Sequence, residues 1–247
     1  MGNLPQNIVT MTRICTQTAK PHYFLFDREQ IDSMSAQLFT PDFWRERGKL
    51  KGQASGRGTT VFVQAKEHTR WALRHFHRGG MVGKLLTDQY LFTGLERSRP
   101  WREFYLLYQL RKQGLNVPKP VAAHVEKRGL TYCADLITEL IPKCQDLHQI
   151  LSQRPLTGEE WQRVGAAIAT LHRHQVYHHD LNIRNIMMDQ DGQVWIIDFD
   201  RCYIRSGEQW KQEPINRLKR SLQKASTGEH GFNWGSTDWE LLQEGLD

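Results

Sequence analysis

The chain has 247 residues, of which 39% are hydrophobic and 24% are charged, with a formal net charge of +6. These values predict a single globular domain, residues 1–247, and exclude a disordered or fibrous chain. No run approaches the ~20 consecutive apolar residues of a membrane span, and Thr10, Thr12 and Arg13 break the apolar start too early for a signal peptide. We expect a protein on the inner side of a cell membrane, with four reduced cysteines and no histidine-held metal.

Strand-like patterns dominate the first half of the chain. Short apolar runs predict strands at residues 23–26, 59–63, 71–76, 130–133 and 136–141, the last two as a pair. A turn is expected at Gly79-Gly80, and residues 117–120 are expected to be an extended connector. One helix is predicted between them, with Ser98 as N-cap, and Gly114 would end it after Lys112.

Helical patterns dominate the second half. Thr157 and Glu160 form a capping-box pair that predicts a helix, and its buried face would contain Trp161, Val164, Ile168 and Leu171. Near the end, Ile215, Leu218 and Leu222 share one helical face, and Arg217, Arg220 and Lys224 share the other. The order of elements predicts an α+β fold of two lobes. These would be a β-rich N-lobe with one key helix, residues 1–140, and a short, mainly helical C-lobe, residues 141–247.

The strongest functional signal is the segment Tyr-His-His-Asp-Leu-Asn-Ile-Arg-Asn at residues 177–185. Asp180 and Asn185 lie five residues apart, and Asp198-Phe199-Asp200 follows an apolar strand thirteen residues after Asn185. This order resembles the catalytic loop and metal loop of protein-kinase-like enzymes. The resemblance implies that Asp180 accepts the proton of an acceptor hydroxyl group, while Asn185 and Asp198 hold Mg²⁺ for ATP. Arg184 is a candidate to steady the acceptor or the phosphoryl group, the alternative being a solvated loop arginine.

Nucleotide ligands are predicted upstream of this segment. Gly52, Gly56 and Gly58 lie where a phosphate-covering loop belongs, although their spacing is G-x-x-x-G-x-G and an ordinary hairpin loop is the alternative. The strand that follows aligns Arg74 with the phosphate-binding lysine of kinases, and Glu103 is its natural ion-pair partner.

Two assignments in this region stay open. His75 or Arg78 is an alternative to Arg74 as the phosphate ligand. Residues 138–142 occupy the place of an inter-lobe hinge, where backbone groups of Glu139 and Ile141 would contact adenine. Because those contacts use the main chain, the residue types say little.

The segment after Asp198 bears on the acceptor. Only 49 residues follow Asp198, and the sequence A-P-E is absent. A protein kinase needs an activation segment and further helices to dock a peptide. We therefore expect a small or lipid-linked hydroxyl acceptor.

Five strings narrow the resemblance. They are L-R-H-F-H-R-G-G-M (73–81), P-W-R-E-F (100–104), H-H-D-L-N-I-R-N-I-M (178–187), I-D-F-D-R-C (197–202) and N-R-L-K-R-S-L-Q-K (216–224). Together they resemble the 3-deoxy-D-manno-octulosonic acid (Kdo) kinase family over residues 50–225. The resemblance implies ATP-dependent phosphorylation of the 4-hydroxyl group of a Kdo sugar on a lipid A precursor. It also implies a peripheral location on the cytoplasmic face of a Gram-negative inner membrane.

Other readings remain at this point. A lipopolysaccharide heptose kinase and a small atypical protein kinase share the motif, and a pseudokinase would bind nucleotide without turnover. The net charge agrees with an anionic membrane partner, and no motif supports nucleic acid as the partner. The basic face of the last helix is either a solvated surface or a contact for anionic headgroups.

Overall fold

The computed structural model describes residues 13–55, 59–77 and 88–247. Gly56 and Gly58 of the expected phosphate loop lie outside these ranges, as do Arg78 and the Gly79-Gly80 turn. Within the described residues, strands and helices both occur in quantity, so the predicted α+β class is confirmed. No helix in these ranges combines the length and hydropathy needed to cross a bilayer.

One antiparallel sheet accounts for most of the first half. Its strands are Ile14–Ala19 (β1), His22–Asp27 (β2), Leu50–Ser55 (β3), Thr59–Lys66 (β4), Thr69–His75 (β5), Tyr90–Leu91 (β6), Pro120–Arg128 (β7) and Thr131–Glu139 (β8). The strand order is β1-β2-β7-β8-β5-β4-β3, and β6 also pairs with β8. Strand β5, which carries Arg74, therefore lies in the interior of the sheet between β8 and β4.

The prediction of two paired strands at 130–133 and 136–141 is wrong. Residues 131–139 form one strand, β8, and its neighbours are β7 and β5. Neighbouring strands accommodate the carboxylate of Asp135 within β8. It accepts from His75 Nδ1 at 2.6 Å and from His124 Nδ1 at 2.8 Å, and these bonds hold the pKa of Asp135 low against the opposing effect of burial.

Helices and short hairpins make up the rest. The helices are Ala36–Phe39 (a 3₁₀ turn), Pro41–Glu46 (α1), Arg99–Lys112 (α2), Leu147–Leu151 (α3), Gly158–Arg173 (α4), Gln212–Gly228 (α5) and Ser236–Glu244 (α6). The short strands are Gln145–Asp146 (β9), Val176–Tyr177 (β10), Ile186–Met188 (β11), Val194–Ile196 (β12) and Tyr203–Ile204 (β13). Strand β11 pairs with β12 and β9, and β10 pairs with β13.

Helix α2 begins and ends as its sequence predicts. Ser98 is the N-cap residue, and Gly114 adopts a left-handed conformation (φ +83°) just past the last turn. The Ser98 hydroxyl, however, donates to the Leu95 carbonyl rather than capping the helix. Trp101, Phe104, Leu107 and Leu110 are buried in the same cluster as inward-facing residues of β7 and β8. This packing fixes α2, and Glu103 with it, against the sheet.

Helix α4 confirms the predicted capping box. The Thr157 hydroxyl accepts from the Glu160 N–H at 3.2 Å, and the Glu160 carboxylate accepts from the Thr157 N–H at 2.8 Å. All four residues predicted for its buried face are buried. Helix α6 packs closely on α4, since a Cβ atom added at Gly165 would overlap the carbonyl oxygen of Leu242.

Candidate active site

The segment from 178 to 185 forms a loop between β10 and β11 that its own side chains hold in place. The side-chain amides of Asn182 and Asn185 donate to the Asp180 carbonyl at 3.0 and 2.9 Å. Ser221 of α5 accepts from the Ile183 N–H at 3.1 Å. These bonds fix the backbone that presents the Asp180 and Asn185 side chains.

His178 connects this loop to the end of the β11–β12 hairpin. Its ring is buried and packs edge-on against Phe199, with centroids 5.1 Å apart. Burial lowers the pKa of His178, which keeps the imidazole neutral, and its Nε2 lies 3.1 Å from the Ile197 carbonyl. Because a carbonyl can only accept, Nε2 carries the proton. The Ile197 N–H in turn donates to the Asn185 carbonyl at 2.9 Å, so two hydrogen bonds join the catalytic loop to the segment that precedes Asp198.

Arg74 joins three separate elements. Its Nη1 lies 2.6 Å from Asp198 Oδ1, and its Nη2 contacts Glu103 Oε2 on α2. The predicted ion pair with Glu103 is present, and the contact with Asp198 adds to it. Burial opposes the charge on Arg74, but the two carboxylates hold the pKa of Arg74 above its usual value. The guanidinium is therefore positive at any physiological pH.

Asp198 has an unusual backbone. Its φ of +63° lies in the left-handed region, where residues other than glycine are uncommon. Its side chain is 40% exposed, so the carboxylate remains accessible at the end of β12 despite the contact with Arg74.

A second arginine, Arg99, forms an ion pair with Asp200, two residues after Asp198. Arg99, the first residue of α2, approaches both carboxylate oxygens of Asp200, with Nε 2.7 Å from Oδ1. This two-point geometry is the strongest arrangement for an arginine–carboxylate pair. No motif in the sequence predicted this contact. The available signal was the acid at position 200, whose side chain is 23% exposed and so favours a nearby cation.

Oxygen donors at Asn185 and Asp198 suit a hard cation. The Asn185 amide nitrogen is used on the Asp180 carbonyl, which leaves its Oδ1 as the ligand atom. Within the described ranges, no three His, Cys, Asp or Glu side chains are grouped closely enough to hold a metal by themselves. Mg²⁺ in kinase sites is commonly shared between one or two protein oxygens and substrate phosphates. The residues present fit that kind of site.

Two other regions were predicted to bind nucleotide, the glycine-rich segment that begins at Gly52 and the hinge at residues 138–142. Gly52 lies within β3, paired with Phe62 of β4, rather than in a loop. At the expected hinge, the N–H groups of Glu139 and Leu140 donate to carbonyls of Lys119 and Arg70. The Ile141 N–H has no such acceptor among the described residues.

Two arginines in or beside the catalytic loop, Arg184 and Arg217, differ in their surroundings. Arg184 is exposed, and its Nη2 lies 3.1 Å from His148 Nε2. Arg217 was grouped with Arg220 and Lys224 on an outward face. Instead it turns toward the loop, with Nη1 3.4 Å from Asp180 Oδ1, while Arg220 and Lys224 are exposed.

The sequence was compared with protein families and with individual known proteins, and the matches span the whole candidate site. The family model described as the lipopolysaccharide kinase (Kdo/WaaP) family matches residues 41–245. A protein named 3-deoxy-D-manno-octulosonic acid kinase from Vibrio cholerae serotype O1 is 48% identical over 217 residues, covering 88% of this chain and 92% of the relative. Proteins of the same name from Photobacterium profundum and Haemophilus influenzae are 42% and 40% identical, and each match covers about 90% of both chains. The matched range includes every candidate site residue.

Proposed function

The chain belongs to the lipopolysaccharide kinase (Kdo/WaaP) family and is a phosphotransferase, and from that premise we propose that it transfers the γ-phosphoryl group of ATP to the 4-hydroxyl group of a Kdo sugar on a lipid A precursor. The observation that carries the proposal is the junction at Arg74. This residue contacts Glu103 and Asp198, and Asp198 follows the strand that is bonded to the Asp180–Asn185 loop. The choice of Kdo as the acceptor sugar is based on the names of the relatives.

Nucleotide binding is proposed between two lobes of a protein-kinase-like fold that divide near residue 140. Arg74 would bind the α- and β-phosphates through its fork of donors, held in place by Glu103. The glycines at 52, 56 and 58 would cover the phosphates. The Glu139 carbonyl and the Ile141 N–H would face adenine, because the other amides of that stretch are already used in the sheet.

Asp180 would orient the acceptor hydroxyl group and accept its proton during in-line attack. Its backbone carbonyl is held by two asparagine side chains, which limits the movement of the carboxylate. Asn185 and Asp198 would hold Mg²⁺, which neutralises phosphate charge when bound. Arg184 would steady the acceptor or the transferring group from the loop surface.

A peripheral location on the cytoplasmic face of the inner membrane completes the proposal. The net charge of +6 supports attraction to anionic headgroups. Two leucines at the β7–β8 turn end of the sheet, Leu130 (81% exposed) and Leu91 (65%), lie beside Lys127 and Arg128, a mixture suited to a headgroup region. Cosedimentation with anionic vesicles should fall as salt rises, and binding that is equal at low and high salt would contradict an electrostatic contact.

The decisive test is mass spectrometry of a Kdo-bearing lipid A precursor incubated with the protein and Mg-ATP. We expect the gain of one phosphate group, lost in Asp180→Ala. Asp191→Ala, which changes an exposed acid in the β11–β12 hairpin, should retain activity. No phosphate gain by the wild-type protein, together with ATP binding in a thermal-shift assay, would refute the acceptor. No gain and no ATP binding would refute the kinase mechanism.

A further inference from the structure

Arginines from three segments lie close enough to His179 to act on its charge, and one of them, Arg217, also contacts Asp180. Arg217 comes from α5, Arg201 from the turn after Asp200, and Arg99 from the start of α2. Burial is the main cause that lowers the pKa of His179, and the positive charges of Arg201, Arg217 and Arg99 add to it. The His179 N–H also donates to Cys202 Sγ at 3.4 Å, which places the Arg201 segment directly against the catalytic loop.

These three cations differ in how their charges are paired. Arg99 is fully engaged by Asp200. Arg201 is exposed and makes no ion pair with any described carboxylate. Arg217 is 43% exposed and reaches Asp180 through one contact of 3.4 Å. Such a long, solvated contact contributes little to stability, so it does not by itself account for the position of Arg217.

The backbone at Arg201 also needs explanation. Its φ of +61° is left-handed, a conformation that costs about 1 kcal/mol or more for a residue with a Cβ atom. Residues held in this way cluster at ligand-binding sites. The left-handed backbone and the unpaired charge of Arg201 occur together, one residue before Cys202, which contacts the catalytic loop at His179.

We propose that Arg201 and Arg217 form a subsite for the carboxylate of the acceptor sugar, which orients the ring so that the 4-hydroxyl group, two ring carbons from the carbon that bears the carboxylate, reaches Asp180. The inference rests on the proposed function, because an octulosonic acid carries a carboxylate at neutral pH. Planar guanidinium groups match a carboxylate better than ammonium groups do. A subsite that binds the carboxylate would make the enzyme selective for sugar acids over neutral sugars with a similar hydroxyl group.

The test compares two acceptors with wild-type protein and variants. One acceptor is the Kdo-bearing lipid A precursor, and the other is the same molecule with the Kdo carboxyl group converted to its primary amide. Arg217→Gln and Arg201→Gln should each lower kcat/KM for the acid at least about tenfold, the scale of one hydrogen bond to a charged group. The loss should lie mainly in the acceptor KM, with the ATP KM changed by less than about twofold.

The amide acceptor shows whether the arginines bind the carboxylate of the acceptor or only hold Asp180 in position. Wild-type protein should use it poorly, and the variants should lose little more, because the partner of their arginines has been removed. Arg220→Gln, on the same helix and exposed, should match wild type on both acceptors. Arg201→Gly serves as a second variant, because glycine relaxes the left-handed backbone and favours folding.

Three results would overturn the subsite. The first is an unchanged acceptor KM in both variants. The second is an equal loss on acid and amide, which would assign Arg217 to holding Asp180 or to binding a phosphate of the acceptor. The third is a loss confined to kcat. If wild-type protein does not turn over the acid acceptor at all, the proposed function fails, and the subsite fails with it.

Discussion

Removal of the Arg74 guanidinium should destabilise the protein by about 3 kcal/mol. Breaking a buried ion pair by deleting one partner costs about 3–5 kcal/mol, and Glu103 is only 4% exposed. The lower end of that range applies, because burial already raises the pKa of Glu103 and the carboxyl group can take up a proton once Arg74 is gone. The Asp198 contact adds at most about 1 kcal/mol, since that side chain is 40% exposed.

A double-mutant cycle measures this effect. The variants are Arg74→Met, Glu103→Met and the double variant, each unfolded in urea at neutral pH. The double variant buries no unpaired charge at these positions, so we expect it to be more stable than Arg74→Met by about 1–2 kcal/mol. Its phosphotransfer should stay impaired, with a raised ATP KM, because the phosphate ligand is absent.

Arg74→Lys is the matched control. It keeps the charge and should retain most of the stability, but one ammonium group cannot match the fork that serves both carboxylates. The reasoning is refuted if the two single losses add in the double variant to within about 0.5 kcal/mol, since that is the behaviour of independent sites. An ATP KM equal to wild type in Arg74→Met would transfer the phosphate-binding role to another residue.

Gly165→Ala should lower the free energy of unfolding by several kcal/mol, because the new Cβ atom would overlap the Leu242 carbonyl. Urea unfolding measures the loss, and Gly228→Ala, where the Cβ atom meets open space, should behave as wild type. Arg154 holds the pKa of Glu160 at about 2, below its usual 4.5, so this stabilisation is complete above pH 4.5 and is lost as pH falls toward 2. Glu160→Gln should remove that acid-sensitive step and cost about 1 kcal/mol at neutral pH. An unchanged pH–stability curve would contradict this prediction.

Local signals in the sequence predicted local structure well. The capping box at Thr157 and Glu160, and the N-cap and terminal glycine of α2, each depend on residues a few positions apart. The ion pair between Arg74 and Glu103 could be predicted for another reason. The kinase-like motif order carries information about which distant residues meet.

Contacts between distant segments were harder to predict where no motif links them. The single strand β8 was predicted as two, and the residues that accommodate its Asp135, His75 and His124, come from other strands that no local pattern identifies. Arg99 and Asp200 are 101 residues apart in the chain, and no periodic pattern relates them. Arg217 was placed by helical periodicity on the outward face, although a residue at the boundary between two faces can reach a neighbouring loop.

The left-handed backbone of Asp198 has a practical consequence for mutational libraries. An alanine scan at this position would change two properties at once, since alanine removes the oxygen ligands and also disfavours a φ of +63°. Asparagine tolerates that conformation and retains one oxygen, whereas glycine relaxes the backbone and retains none. The pair Asp198→Asn and Asp198→Gly therefore separates ligand chemistry from chain geometry. Libraries that select for use of a different phosphoryl donor or metal ion should therefore favour Asp, Asn and Gly at position 198.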